Sequence, residues 1–224
     1  AALKTDRGVE GIGWAFTLGA GNDLVCRAIE VLGQKLVGQD LDSLMADFGA
    51  VTRSLENHPQ LRWLGPHKGL VQLALAALVN ACFDLWARSR EVPLWKLLLD
   101  LSDEALVALL DLSNLEDCLD QNAVLEIVAE ARNTRENRLG ILKSGYPGYD
   151  TSIGWFGYSD EQIRENIRQA VDTGFTAMKL KVGSSDGERD LRRARSVREA
   201  AGPDAEVMLD VNQQWSLPQA LEMG

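Results

Sequence analysis

The sequence predicts an α/β fold over its last third, preceded by a hairpin and a mostly helical segment. Three observations carry this. From about residue 150, strand, capping box, helix, glycine stop and new strand recur with a period of about thirty residues, the length of a β-α-β unit. Two of the strands, Ala177-Met178-Lys179-Leu180-Lys181-Val182-Gly183 and Val207-Met208-Leu209-Asp210-Val211-Asn212, alternate apolar and polar residues. Earlier in the chain the apolar spacing is that of helices, punctuated by proline and glycine.

Residues 1–18 read as a hairpin. Asp6-Arg7-Gly8 is its turn, and Val9, Ile12, Trp14 and Phe16 are its strand formers. Thr17-Leu18-Gly19-Ala20-Gly21 is a loop, and a helix follows over 23–37. Gly19-x-Gly21 is too short for a dinucleotide fingerprint and lacks the β-α-β setting. Residues 40–55 read as one helix. His58-Pro59 and Gly65-Pro66-His67 are loops, which makes both histidines loop residues. Residues 69–88 form a buried helix. Its run from Leu70 to Ala87 is apolar, but Gln72, Asn80 and Asp84 fall at multiples of four and line one stripe. A core helix with a hydrogen-bonded edge fits that stripe better than a membrane span.

Pro93 opens a short helix to Leu101. Residues 116–138 are charged and helical, a solvated face or an insertion. Gly145-Tyr146-Pro147-Gly148 is a connector, which places domains at 1–148 and 149–224. The strand over 151–157 is followed by the capping box Ser159-Asp160-Glu161-Gln162 and a helix lined by Ile163, Ile167, Ala170 and Val171, which ends at Gly174. The strand over 176–182 leads to a second capping box, Ser185-Asp186-Gly187-Glu188. Leu191, Ala194, Val197 and Ala201 line its helix, and Gly202-Pro203 stops it. The strand over 206–211 and a helix start at Ser216-Leu217-Pro218-Gln219 complete the pattern. Such a repeat gives parallel strands with right-handed crossovers, either a (β/α)8 barrel or an open doubly wound sheet. Polar groups near the strand C-termini favour the barrel.

The chain has 224 residues, 46% hydrophobic and 25% charged, with a net charge of -10. That charge argues against nucleic acid and anionic membrane as partners and leaves a small molecule. Cys26, Cys82 and Cys118 are odd in number and lack metal-ligand spacing. They read as three buried thiols in a reducing compartment, the cytoplasm.

Lys179 and Lys181 share one face of their strand, and Asp210 and Asn212 share one face of the next. Inward-facing charges are costly unless paired or metal-bound. A lysine near a metal or a second lysine has its ammonium disfavoured and becomes a usable base. A strand-tip carboxylate suits Mg²⁺. Together these suit removal of a proton beside a carboxylate, although strand-tip lysines that are merely solvated would look the same.

The Lys179-Leu180-Lys181-Val182-Gly183 and Asp210-Val211-Asn212 pair resembles the mandelate racemase branch of the enolase superfamily. Segments along the chain narrow the resemblance to its L-fuconate dehydratases. They are Phe16-Thr17-Leu18-Gly19, Gln60-Leu61-Arg62-Trp63-Leu64-Gly65-Pro66, Ala81-Cys82-Phe83-Asp84-Leu85-Trp86-Ala87, Gly145-Tyr146-Pro147, Gly157-Tyr158-Ser159-Asp160 and Asn212-Gln213-Gln214-Trp215. The resemblance implies an α+β capping domain closing over a modified TIM barrel. It also implies Mg²⁺-dependent dehydration of L-fuconate, a small acid sugar, to 2-dehydro-3-deoxy-L-fuconate. Lys181 would take the C2 proton. Lys179 would hold the substrate carboxylate and tune Lys181. Asp210 would bind Mg²⁺, with Asn212 beside it as a substrate contact. Thr17, Leu18 and Gly19 would help shape the substrate pocket, and Trp63 and Trp86 would be packing residues.

The family needs two further carboxylate ligands and a histidine with its aspartate partner, none of which this sequence supplies. A (β/α)8 barrel takes roughly 250 residues, and three strands are present. The expectation is therefore the N-terminal part of a longer enzyme, without its first capping strand and with only three β/α units of barrel. Such a piece would have negligible activity alone; the full-length enzyme could form a homo-oligomer. A truncated product that binds or regulates, or a dehydratase of another acid sugar, are the alternatives.

Overall fold

The structure is a computed structural model and describes residues 1–17, 19–65 and 69–223. It divides into two compact units, Ala1–Leu139 and Gly140–Gly224.

The first unit opens with antiparallel strands β1 (Ala2–Lys4) and β2 (Glu10–Ile12), paired Leu3 to Gly11. Their turn is closed by the Thr5 amide donating to the Val9 carbonyl at 2.9 Å. Then come α1 (Asn22–Gly33), α2 (Leu41–Ala46), α3 (Phe48–Glu56) and α4 (Leu70–Ser89). The single helix expected over 40–55 is two, broken at Asp47, whose backbone is non-helical. The Asp40 carboxylate caps the first of them by accepting from the Ser43 amide at 2.9 Å. α5 (Leu94–Asp100), α6 (Asp103–Val107) and α7 (Gln121–Ala131) follow, and α8 (Arg135–Ser144) begins in this unit and ends in the second.

The central element is α4, on which α1, α3 and the hairpin pack. By length and composition alone it could cross a membrane, with a mean hydropathy of 1.7. Its buried residues instead form the core with Leu32, Phe48 and Leu55. Two residues of the polar stripe are hydrogen-bonded: Gln72 donates to Glu56 at 2.6 Å, and Asp84 accepts from the Ile12 amide and from Arg88, both at 2.8 Å, while Asn80 is exposed.

The hairpin meets α4 through glycine. A Cβ on Gly11 would overlap Leu85 and the Ala81 carbonyl, and one on Gly13 would overlap the Ala77 carbonyl. The expected strand formers Ile12, Trp14 and Phe16 are exposed. The face that is buried is Gly11 and Gly13, two residues apart, against Ala77 and Ala81, one helical turn apart.

Two further expectations are corrected. Cys82 is buried, and burial pushes its thiol up to about 12, but Cys26 and Cys118 are exposed. Trp86 is 8% exposed and packs against Phe48, Met45 and Leu109, whereas Trp63 is 72% exposed. Trp63 sits in a 3-10 turn over Arg62–Leu64. His58 is a loop residue whose Nδ1 accepts from the Gln60 amide at 3.3 Å; His67 lies outside the described residues.

The second unit is regular. β3 (Asp150–Gly154), α9 (Asp160–Asp172), β4 (Ala177–Lys181), α10 (Gly187–Ala201), β5 (Glu206–Asp210) and α11 (Leu217–Met223) alternate as expected. The strands lie in the order β3-β4-β5, all parallel. Met178, Leu180 and Val182 point into one apolar core with Ile153, Ile163, Ile167, Ala170 and Val197. Ser159 caps α9, but α10 is capped by Asp186, which accepts from the Arg189 amide at 3.0 Å, rather than by Ser185. Gly174 and Gly202 leave the helices at φ 93° and 85°, positive values that most side chains avoid.

Candidate active site

Because Met178, Leu180 and Val182 face the helices, the strand's period of two puts Lys179 and Lys181 on the opposite side. The register pairs Lys179 with Met208 and Lys181 with Asp210. All four site residues expected in this unit come together at the C-terminal ends of β4 and β5. Lys181 Nζ donates to Asp210 Oδ2 at 2.7 Å and to Asn212 Oδ1 at 2.8 Å. Lys179 Nζ lies 3.1 Å from the same Asp210 Oδ2. Asp210 Oδ1 accepts from the Asn212 amide at 3.0 Å. That turn places Asn212 and then Gln213 at φ 48° and 62°, an uncommon conformation for two successive non-glycine residues. Such strain collects at functional corners.

Aromatic rings flank both ammonium groups. Lys179 Nζ is 5.2 Å from the ring centroid of Tyr149 and 3.4 Å from its hydroxyl. Lys181 Nζ is 5.5 Å from the ring centroid of Trp155. Lys181 is the more deeply placed, with a side chain 10% exposed against 19% for Lys179 and 27% for Asp210. The Lys181 hydrogen bond, the Asn212 amide and Lys179 together hold the Asp210 carboxyl well below the usual carboxylate range. Lys179 moves the other way from the expectation that neighbouring cations disfavour an ammonium. Its hydrogen bond to Asp210 outweighs desolvation, with help from Tyr149, and the charged form is favoured.

Mg²⁺ was expected at Asp210. This is a hard oxygen ligand of the right kind, but its Oδ2 is already shared by two ammonium groups. Among the described residues, no group of three or more His, Cys, Asp or Glu side chains converges. The residues present do not make a Mg²⁺ site by themselves.

Thr17 and Gly19 belong to the first unit. The Thr17 hydroxyl bonds the Asn22 side chain and accepts from the Gly19 amide at 3.3 Å, while Leu18 lies outside the described residues.

Sequence reading passed over a second cluster beneath the site. Asp190 and Arg193 on α10 are each 2% exposed. Asp190 Oδ2 accepts from the Gly183 and Ser184 amides, both at 2.8 Å. Arg193 donates to the Lys181 carbonyl at 3.2 Å and to the Trp155 carbonyl at 2.7 Å. Arg189 reaches the Phe156 carbonyl at 2.7 Å. The signal was available: positions 190, 193, 194, 197 and 201 form one helical stripe, and two of them are charged.

Residues 1–98 match the mandelate racemase/muconate lactonizing enzyme N-terminal domain, and residues 162–224 match the enolase C-terminal domain-like family. The chain is 40% identical over 223 residues to mitochondrial enolase superfamily member 1 of Homo sapiens, covering 98% of this chain and 50% of that protein. It is 38% identical over 224 residues to the L-galactonate dehydratase of Hypocrea jecorina, again covering 98% and 50%. The crystal structure of the human protein superimposes with a TM-score of 0.91 at 39% identity, over 99% of this chain and 51% of that one. L-talarate dehydratase from Polaromonas sp. JS666, solved with Mg and L-glucarate, shares the fold at a TM-score of 0.66 and 24% identity, over 99% and 49%. The chain thus spans about half the length of the curated relatives it matches. With both domain types present in this order, the chain belongs to the enolase superfamily, in the mandelate racemase/muconate lactonizing enzyme branch.

Proposed function

We propose that this chain carries the proton-abstracting side of an acid-sugar dehydratase, and that the whole protein converts L-fuconate to 2-dehydro-3-deoxy-L-fuconate and water. The observation behind this reading is the convergence of Lys181, Lys179 and Asn212 on Asp210 at the C-terminal ends of parallel strands. In family members of this kind, chemistry belongs at that end of the sheet.

The two lysines divide the work. Lys179 keeps its charge, favoured by Asp210 and Tyr149, and suits the substrate carboxylate. Lys181, set between Asp210, Asn212 and the Trp155 ring, is the group assigned to take the C2 proton. The C2–H electron pair moves into the C2–C1 system as an enediolate. The C3 hydroxyl then leaves as water, taking a proton from a general acid that the rest of the whole protein would supply, and the enol ketonises at C2. Asn212, beside Asp210, is placed to contact a substrate hydroxyl. Mg²⁺ belongs to the proposal for the whole protein, with Asp210 as one of its ligands. The Polaromonas dehydratase of the same fold, solved with Mg, supports it.

The substrate has a close rival. L-fuconate is the 6-deoxy form of L-galactonate, so the two share every stereocentre and differ only in methyl against hydroxymethyl at C6. The relative that acts on L-galactonate therefore supports the stereochemistry of the reading and leaves C6 as the point of choice. The test is kcat/KM of the whole protein on both acids with Mg²⁺. Preference for L-fuconate is expected; a tenfold or larger preference for L-galactonate, about 1.4 kcal/mol, would replace it, and activity on neither would end the reading.

A further inference from the structure

The buried charges on α10 have no partner that a purely structural pair would have. Asp190 and Arg193 are one helical turn apart and both 2% exposed, yet they do not bond each other. Asp190 Oδ1 and Arg193 Nε are buried without any hydrogen-bond partner among the described residues. A pair selected for stability would be replaceable by apolar residues at little or no cost. What these two groups do engage is the frame of the site. Arg193 holds the carbonyl of Lys181 itself and that of Trp155, whose ring flanks the Lys181 ammonium. Asp190 holds the amides of Gly183 and Ser184, which follow Lys181 in the chain. Gly183 in turn lies against β5's exit: at φ 97°, a Cβ there would come within 2.9 Å of the Val211 carbonyl, between Asp210 and Asn212.

We infer that Arg193 and Asp190 are positioning residues for the Lys181 site, one guanidinium and one carboxylate that fix the ends of β3 and β4 and so aim the Lys181 ammonium at Asp210 and Asn212. The inference rests on the reading of Lys181 as the base. An internal contrast exists on the same helix. Arg198, at its far end, also bonds carbonyls, those of Gly202 at 2.9 Å and Ala205 at 2.6 Å, none of them near the site. It serves the helix end alone.

Two readouts test this. In the 224-residue chain, the ¹H–¹⁵N signal of the Lys181 ammonium reports its hydrogen bonds to Asp210 and Asn212 without any substrate. Arg193→Lys and Asp190→Asn should each shift or broaden it, and Arg198→Lys should leave it in place. In the whole protein, exchange of the L-fuconate C2 proton with solvent should fall about 10–100-fold in kcat for the first two variants, as a misplaced base does. KM should stay within about twofold, because ground-state binding is kept. Arg198→Lys, at an exposed side chain, should change thermal stability little and leave kcat unchanged. Should one of the two variants fail to fold, the other carries both readouts. An unmoved Lys181 signal in Arg193→Lys and Asp190→Asn overturns the inference, as does an equal loss of kcat in Arg198→Lys. Lys181→Ala separates the two layers. If it still exchanges the C2 proton, the base is misassigned. If it is dead while Arg193→Lys and Asp190→Asn are unimpaired, the positioning inference alone fails.

Discussion

The two units bury different things. Ala1–Leu139 hides leucine, valine, alanine, Phe48 and Trp86, and gains its tightest approach where Gly11 and Gly13 lie on Ala77 and Ala81. Gly140–Gly224 holds the buried charged residues found among the described ones: Lys181, Asp190 and Arg193. Burying apolar area stabilises, roughly 25 cal/mol per Å², whereas burying charge costs several kcal/mol per ion before pairing. The first unit is therefore built as a scaffold. The second gives up stability at the C-terminal ends of β4 and β5, and that is where chemistry should be sought.

The sharpest break of this contrast is Lys181→Ala. Loss of a positioned base costs about 10²–10⁴-fold, so C2 proton exchange by the whole protein should fall by at least about 10²-fold. Stability should change by no more than about 1 kcal/mol, since Lys179 remains 3.1 Å from Asp210 to compensate the carboxylate. Exchange assays paired with urea unfolding check both halves. A large loss of stability with exchange retained would make Lys181 a structural cation and erase the distinction between the units.

Gly13→Ala should do the reverse. The new Cβ falls on the Ala77 carbonyl, backbone that cannot swing away. Overpacking of this kind costs about 1–3 kcal/mol, and a clash with helix backbone belongs at the upper end. Urea unfolding should register that loss, while the Lys181 ammonium signal stays in place.

This hairpin also shows where sequence reading stops. Periodicity made the second unit legible almost element by element, because two of its strands alternate and α9 and α10 are bounded by residues of the expected kind, Ser159, Gly174 and Gly202, with Asp186 in place of Ser185 opening α10. The site followed, since two lysines at i and i+2 cannot point apart in a strand. Other features depend on partners far away in the chain. Gly11 and Gly13 look like weak strand residues until Ala77 and Ala81 are placed beneath them. The break at Asp47 has no proline to announce it, and the nearby Gly49 lies inside α3, pressed against the distant Leu110 carbonyl. Asp190 and Arg193 sat in plain view on the buried stripe of α10, but a search for apolar spacing alone discards charged residues.

A smaller effect concerns acid. The folded-state pKa of Asp210 is depressed, so its contribution to stability is present above the unfolded value of about 3.9 and lost as pH falls toward the folded value. In metal-free buffer the chain should weaken progressively below about pH 5, and Asp210→Asn should flatten that part of the profile. Unfolding midpoints measured in urea from pH 6 down to the lowest pH at which the chain still folds would show it. A profile unchanged by Asp210→Asn would mean that Lys179 and Lys181 do not hold the carboxylate in solution as they do here.

The smallest effect tests the scaffold itself. Trp63 and Trp86 both looked like packing residues, yet one is 72% exposed and the other 8%. An exposed side chain has little transfer energy to lose, and surface substitutions usually fall within about ±0.5 kcal/mol. Trp63→Ala should therefore leave the urea midpoint within that range. If it instead costs as much as an interior aromatic, about 3–5 kcal/mol, the indole is covered in solution by something other than the residues around it here. If stability holds but kcat/KM on L-fuconate falls, Trp63 leaves the scaffold and joins the residues that meet the substrate. The first unit would then have a chemical role despite its apolar interior, and the division between scaffold and site would run through its surface.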